Sequence, residues 1–429
     1  MNSIAVELNQ VLEGTAAQTL LSDLGKRMYF PKGIVAQSAE AKQKATRFNA
    51  TVGMAKQGAD PMFLTSINDS VPGLDASDIF TYAPTPGDAK LRAVWKAEMI
   101  KKNPSLEGVS ISTPLVTSGL THGILMAADL FLEKGDSIIV PDMFWGNYRL
   151  IFEERREASI VPFPFFAENG GINLEGLEKS ISDIKSDKAA LILNFPNNPT
   201  GYSPSVDEVK AIIAILKRQA DLGKKLLVIS DDAYFGLFFE DETSTESLFA
   251  SIADLHENIL AVKIDGSTKE DFVWGFRVGF LTYGCKGFTD AQYDALVKKT
   301  MGVIRSSVSN CSRPAQSLLL KALESPSYYD EKAASFKILK ARYEKVKEIL
   351  AEYSDQDTLI PLPFNSGYFM TFICKGDAEQ LRLYLLEEYR IGTIAIQGSY
   401  LRIAFSSVDL ENVDELYKAV FTAAGELWN

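Results

Sequence analysis

Seven short apolar runs between residues 113 and 283, most of them separated by helical patterns or turn signals, constrain the fold of this chain more than any other feature. They read TPLVTSG (113–119), SIIVPD (137–142), SIVPFPF (159–165), AALILNFP (189–196), LLVISDDA (226–233), ILAVKIDG (259–266) and VGFLTY (278–283). Most are apolar almost without interruption, as strands are when helices cover both faces of their sheet. Between them, Val209, Ile212, Ile213 and Leu216 keep the i, i+3, i+4, i+7 spacing of an amphipathic helix. This alternation predicts an α/β fold: a mostly parallel seven-stranded sheet sandwiched by helices. Beyond Pro326 the pattern changes to a charged helical stretch, YYDEKAASFKILKARYEKVKEILAEY, then strand-like GYFMTFIC and YLRIAFS and a last helix. We therefore expect a large domain over 63–325 and a smaller α+β domain from 1–62 together with 326–429.

Charge and residue usage remove several function classes. Lys plus Arg number 44 against 56 Asp plus Glu, a net charge of −12, so the general field repels phosphate backbones and nucleic acid is not expected as a partner. The cysteines Cys285, Cys311 and Cys374 are scattered without CxxC spacing, which excludes a sequence-evident zinc site or redox pair and suits a reducing compartment. No apolar run approaches the ~18 residues of a membrane span, and MNSIAVELNQVLEG lacks the basic start and apolar core of a leader, so a cytoplasmic protein is the expectation. With His122 and His256 the only histidines, Ser–His–Asp triads and multi-histidine metal sites have little support.

In open α/β sheets ligands bind at the carboxyl ends of the strands. Four polar sets fall there: Ser118–Gly119–Leu120–Thr121, Asn197–Asn198–Pro199–Thr200–Gly201, Asp231–Asp232–Ala233–Tyr234 and Gly266–Ser267–Thr268–Lys269. The first is a small-residue turn leading into THGILMAADLFL, a helix start whose N–H groups suit an anion such as phosphate. Asp231 ends a buried strand, where a carboxylate needs a cationic partner; a protonated pyridine nitrogen or an internal arginine would serve. Lys269 follows another apolar strand, where burial and a nearby cation can lower an amine's pKa, and Arg277 lies eight residues on.

As a set, NNPTG (197–201), DDAY (231–234), STK with its downstream arginine (267–277) and SYLRIAF (399–405) resemble the class I, fold-type-I aminotransferases, most closely the aspartate aminotransferase group. VGMAKQGADPMFLTS (52–66), YAPTPGDAKLR (82–92), MFWGNY (143–148) and IRSSVSN (304–310) extend the likeness over residues ~50 to ~405. The resemblance implies pyridoxal 5′-phosphate as cofactor, with Lys269 as the Schiff-base lysine and Asp231 opposite the pyridine nitrogen. It also implies Asn198 and Tyr234 at the phenolic oxygen, Trp145 stacked on the ring, and Gly119, Leu120, Thr121, Ser267, Thr268 and Arg277 around the phosphate. Tyr82 would reach the phosphate of a neighbouring subunit in a homodimer with shared sites. Arg402 and the backbone at Gly53 would grip the substrate's α-carboxylate, a task the planar guanidinium suits. Arg305, in a loop resembling one that crosses between subunits, would read an acidic side chain, with Arg313 as a competing cation. Two positions depart from the family: Gly266 stands where a serine is usual, and Tyr148 where histidine is frequent.

Each residue alone has a plainer reading. NNPTG is a good turn signal, Trp145 a packing aromatic, Tyr82 a loop anchor, Arg402 half of a buried ion pair and Arg305 a surface charge. The expected activity is transfer of an amino group between an amino acid and a 2-oxo acid, aspartate or another acidic donor among the candidates. The alternative is a pyridoxal-phosphate lyase on the same scaffold, by β-elimination or decarboxylation. A regulatory module of the same descent would carry a basic DNA-binding segment, and none precedes residue 30.

Overall fold

The computed structural model of the chain describes residues 1–3, 6, 7, 10, 34–51, 53–58, 60–70 and 73–428. Most of the amino-terminal segment assigned above to the smaller domain, and much of the stretch read there for a leader, lies outside the described residues, as do Val52 and Ala59.

All seven apolar runs become strands of a single sheet: β1 (Leu115–Thr117), β2 (Ser137–Pro141), β3 (Ser159–Phe163), β4 (Lys188–Asn194), β5 (Lys225–Asp231), β6 (Ile259–Asp265) and β7 (Gly279–Gly284). Their order is β1-β7-β6-β5-β4-β2-β3. Adjacent strands from β6 through β3 pair in parallel, whereas β7 is antiparallel to both β6 and β1. The near-continuous apolarity of the runs has a direct cause, because successive side chains point to opposite faces and both faces are covered. In β4, Ala190 and Ile192 enter one core while Ala189, Leu191 and Leu193 enter the other; in β5, Leu227 and Ile229 are set against Leu226 and Val228. Fully burying each leucine, isoleucine or valine among them is worth roughly 1.5–3 kcal/mol.

Helices supply the covers. On the first face lies α2 (Leu120–Phe131), with Ile124, Ala127 and Ala128 buried, following α1 (Ala89–Lys102) in the chain. The opposite face takes α3 (Leu174–Asp183) and α4 (Val206–Asp221), whose Ile212 and Leu216 are fully buried as their spacing predicts. A capping box starts α4: the Ser205 hydroxyl accepts from Glu208 N, and the Glu208 carboxylate accepts from Ser205 N. Downstream come α5 (Asp290–Ser307), α6 (Arg313–Leu323) and the 25-residue α7 (Tyr328–Glu352). A second, antiparallel sheet follows, built from β8 (Leu359–Pro361), β9 (Met370–Cys374), β10 (Ile394–Ile396) and β11 (Tyr400–Ile403) in the order β8-β9-β11-β10. Packed with it are α8 (Ala378–Glu387) and α9 (Leu410–Trp428). Phe48 and Asn49 pair in parallel with Ile391 and Gly392, which ties the described part of the amino-terminal segment to this second unit. Two of its strands, β8 and β10, were not foreseen; at three residues each they are too short to show a period.

Candidate active site

The four polar sets converge at the carboxyl edge of the large sheet around a cleft of about 650 Å³, counting its open mouth. Leu120, Thr121, Trp145, Asn198, Asp231, Tyr234, Thr268, Lys269 and Arg277 line it, joined by Ile124, Asn194 and Ala233.

Close backbone approach builds one end of the cleft. Gly119 caps α2 with φ 78°, a left-handed conformation that glycine adopts freely, and it provides no side chain to satisfy the first N–H groups of the helix. A Cβ on Gly119 would run into the Arg277 guanidinium, so that cation lies directly over the turn. A Cβ on Gly266 would come within 2.8 Å of Gly279 Cα and Val278 O, and one on Gly279 within 2.9 Å of Leu120 N. The absence of a serine at Gly266 therefore follows from packing: three strand ends meet where a side chain has no room. The hydroxyls of Ser267 and Thr268 are buried beside this turn without a hydrogen-bond partner. Orphaned hydroxyls, uncapped helix N–H groups and a cation together make an anion cradle.

At the opposite end sits Asp231, 3% exposed at the tip of β5. The Tyr148 hydroxyl donates to its Oδ2 at 2.5 Å and Ala233 N to its Oδ1 at 3.2 Å. Burial pushes the Asp231 carboxyl up to about 6, although the Tyr148 hydrogen bond and the Lys269 charge both pull it down. Lys269 rises from a single helical turn, Ser267–Glu270, with its Nζ 5.0 Å from the Tyr234 ring centre. Burial lowers its amine to about 8; Asp231 resists that shift and Arg277 adds to it. Trp145 packs edge-on against Tyr148 with centroids 5.7 Å apart.

Asn197 and Asn198 divide the NNPTG turn between them. Asn197 Oδ1 accepts from Thr200 N and Oγ1 and so builds the turn, while Gly201, at φ 79°, is crowded by the carbonyls of Ser366 and Phe369. Asn198 Oδ1 accepts from Arg402 Nη1 at 2.9 Å. Arg402, 3% exposed in β11, also donates to Thr51 O at 3.1 Å and stacks 4.2 Å from the centre of the Phe369 ring. No carboxylate pairs with it among the described residues, its Nε has no partner, and burial lowers its pKa to about 10. A Cβ on Gly53 would lie 2.9 Å from Phe369 and 3.6 Å from the Tyr234 hydroxyl, which brings that backbone to the same place.

Three expected residues stand apart. Tyr82 is 89% exposed and lines no part of this chain's cleft. Arg305 lies on α5 rather than in a loop: the helical spacing of Val297, Met301 and Ile304 carries α5 through Ser307, and Arg305 Nη1 donates to Ser309 Oγ at 2.6 Å. Arg313 is held by Asp88 at 2.6 Å and Asp78 at 3.3 Å. Sequence reasoning passed over Asn194, whose side chain links Asp231 O to Asn198 N, and Phe369, the platform under Arg402. Asn194 had a signal, the one polar residue closing the run AALILN; Phe369 had none. His122 packs and caps: it accepts from Ser118 N at 3.1 Å and contacts Ser307 Oγ at 3.0 Å. Among the described residues there is no cluster fit for a metal and no helix long and apolar enough to cross a membrane.

Comparison with known proteins agrees with this geometry. The family model described as aminotransferase class I and II matches residues 54–420. The aspartate aminotransferase of Thermotoga maritima is 26% identical over 70% of this chain and 72% of its own length. The probable aspartate/prephenate aminotransferase of Aquifex aeolicus is 24% identical over 79% and 83%. Among solved structures, an aminotransferase from Anaerococcus prevotii superposes with a TM-score of 0.82 at 25% identity, over 93% of this chain and 98% of that one. The aspartate aminotransferase of Thermus thermophilus with maleate shares the fold at a TM-score of 0.73 and 19% identity, over 94% and 99%. The chain thus belongs to the aminotransferase class I and II family and is a pyridoxal-phosphate-dependent aminotransferase acting on an amino acid and a 2-oxo acid.

Proposed function

We propose that the cleft between Gly119 and Arg402 is the transamination site, with Lys269 as its reactive amine and an acidic amino acid as donor. The observation that carries this reading is the convergence of Lys269, Asp231, Asn198, Tyr234 and Arg277 from separate strand ends on one cleft. The residues fit pyridoxal phosphate. The two orphaned hydroxyls, the start of α2 and Arg277 match a phosphate, and Asp231, buried and not hydrogen-bonded to any cation among the described residues, matches a protonated ring nitrogen. Trp145 would stack on the ring, and Asn198 and Tyr234 would bond its phenolic oxygen.

When bound, the cofactor supplies an electrophilic carbon and a ring that draws electrons away from the substrate's Cα. Lys269 Nζ, poised near neutrality, takes the Cα proton and gives it up again. Asp231 keeps a negative charge against the ring, and Tyr148 fixes the orientation of that carboxylate. Arg402, bonded only to neutral oxygens, is free to exchange them for the donor's α-carboxylate beside Gly53. The names of the Thermotoga maritima and Aquifex aeolicus relatives support an acidic donor. Arg305 is the reader we favour: it carries no carboxylate partner among the described residues, whereas Arg313 already holds two.

We further propose a homodimer with shared sites. Phe63, Phe80 and Tyr82 are 56%, 83% and 89% exposed, an apolar surface suited to a second copy, with Tyr82 and Arg305 reaching the neighbour's site. The division into 63–325 and 1–62 with 326–429 is supported by the two separate sheets and the Phe48–Ile391 pairing. Cytoplasmic residence is supported by the three free, buried thiols.

The test is borohydride reduction of the purified chain with pyridoxal phosphate, followed by peptide mapping. A pyridoxyl group on Lys269, and consumption of aspartate beyond one equivalent per site only when a 2-oxo acid acceptor is present, is the expected result. A label elsewhere overturns the site, and product release that continues beyond one equivalent per site without an acceptor overturns transamination in favour of the lyase reading.

A further inference from the structure

Chain order places two acids directly behind the reactive lysine, Lys269–Glu270–Asp271. Both are buried, at 8% and 0% exposure. Left bare, carboxylates one and two residues away would favour an ammonium at Lys269. The fold brings them two cations from distant elements. Lys102, at the end of α1, and Lys332, in the second turn of α7, each approach Glu270 Oε1 at 2.7 Å, and Lys332 also reaches Asp271 Oδ1 at 3.1 Å. The Tyr328 hydroxyl donates to Asp271 Oδ1 at 2.7 Å, leaving Asp271 Oδ2 without a partner. Two lysines and two carboxylates therefore form a neutral set against the Lys269 turn, whose own carbonyl accepts from the Tyr368 hydroxyl at 3.1 Å.

We propose that Lys102 and Lys332 act as positioning residues that cancel Glu270 and Asp271, so that the only carboxylate free to govern the Lys269 amine is Asp231. Burial opposes the charge on Glu270, yet the two lysines hold its carboxyl low, at about 2, so the acid stays ionised and paired. Around the Lys269 amine itself, Asp231 favours its charge and Arg277 opposes it, with the Tyr234 ring beside it. On the far side the set borders Lys263, Asp265 and Asp232, which pair among themselves. Glu98 faces Tyr328 and bonds its neighbour Tyr329. None of those groups supplies Glu270 or Asp271 with a further hydrogen-bonded cation among the described residues. Because Lys332 belongs to the helix that runs on into the second sheet, the amine's protonation is tied to the seating of α7.

This inference rests on the reading of Lys269 as the reactive amine, and its test is separate from the borohydride mapping that examines that reading. Cofactor-free, full-length protein is labelled with acetic anhydride at graded pH, and acetylation is read at the Lys269 peptide by mass spectrometry. Lys332→Met leaves one negative charge in excess and is expected to raise the Lys269 midpoint by about one pH unit. Glu270→Gln leaves one positive charge in excess and is expected to lower it by a similar amount. The double variant is neutral again and should return to the wild-type midpoint, as should Lys332→Arg. Loss of packing would disturb both single variants alike and cannot give shifts of opposite sign. Should Lys332→Met fail to fold, Lys102→Met makes the same change in net charge. A midpoint unmoved in either single variant, or moved the same way in both, overturns the proposal.

Discussion

Asp231 and Asp232 are neighbours in the chain, yet they turn to opposite faces of one sheet and meet different lysines. Asp231 continues the face of Leu227 and Ile229; Lys263 belongs to the other, with Ile259 and Ala261. On that second face Lys263 is bonded to Asp232, lies 3.5 Å from Asp265 and sits 4.9 Å from the Phe235 ring centre, while Ser247 donates to Asp232. Burial works against its charge, but the two aspartates outweigh it and raise the Lys263 amine above the ordinary lysine range. Lys269 has one anion across the cleft among the described residues, Asp231, and there burial, with Arg277 adding to it, wins, down to about 8. A buried lysine with one hydrogen-bonded anion and a second beside it is structural and permanently charged; one with a single anion across a cleft is reactive. The difference lies in how many partners each face provides, not in burial itself.

The largest expected break in that comparison is at the lysines. Lys269→Ala should lower turnover by about 10⁴-fold or more and still bind cofactor without covalent attachment. Lys263→Met should leave the Lys269 label intact but cost about 3–5 kcal/mol in denaturant unfolding, because it strands Asp232 and Asp265. Equal losses of activity at equal stability would remove the distinction. The aspartates follow with a smaller effect. Asp231→Asn retains shape and removes charge, so single-turnover proton abstraction should slow by about 10²–10³-fold while donor affinity changes little. An unchanged rate would reduce Asp231 to a strand cap.

Specificity tests whether exposure or pairing marks a working cation. Arg305→Ala should cost about 10- to 150-fold in kcat/KM on aspartate, the equivalent of about 1.5–3 kcal/mol for a charged hydrogen bond, and little on alanine. Arg313→Ala breaks the pairs with Asp78 and Asp88 and should affect both donors equally through stability. Selectivity confined to Arg313→Ala would reverse the assignment.

Much of this arrangement was legible in the chain because burial on both faces writes strands as continuous apolar text, and each run ends in the polar residues of the rim. Lys269, Asp231 and Asn198 could be found that way. Partners brought in across long sequence separations could not: Lys332 reaches Glu270 across 62 positions and Arg402 reaches Asn198 across 204. Arg305 was assigned to a loop by resemblance alone, whereas the helix runs on past it and Ser307 returns its hydroxyl to Val303 O. Gly266 was visible as a departure, but its reason, the approach of Gly279 and Val278, exists only in three dimensions.

The smallest expected effect sharpens the comparison most. Tyr148 is buried between Phe144, Trp145 and Phe152 and gives Asp231 its one side-chain hydrogen bond among the described residues, where Asp232 has Lys263 and Ser247. A phenol offers a proton without a charge, so it orients the carboxylate without pairing it. Since the folded Asp231 carboxyl is raised above its ordinary value, to about 6, its protonated form favours the folded state. That contribution is full below the unfolded pKa of 3.8 and is lost as pH rises through about 6. Tyr148→Phe removes a donor that favours the ionised form, which moves the folded value further up and carries the loss of stability to higher pH. The difference in unfolding free energy between wild type and Tyr148→Phe, measured on cofactor-free protein from pH 4 to pH 8, should therefore be smallest at the acid end and grow towards neutrality, reaching about 1.5–3 kcal/mol for a hydrogen bond to a charged group. Asp231→Asn should abolish that pH dependence, since an amide does not titrate. A Tyr148→Phe penalty that stays constant with pH would mean that the phenol only fills space behind Asp231, and that the two faces differ in packing rather than in the charge they leave unpaired.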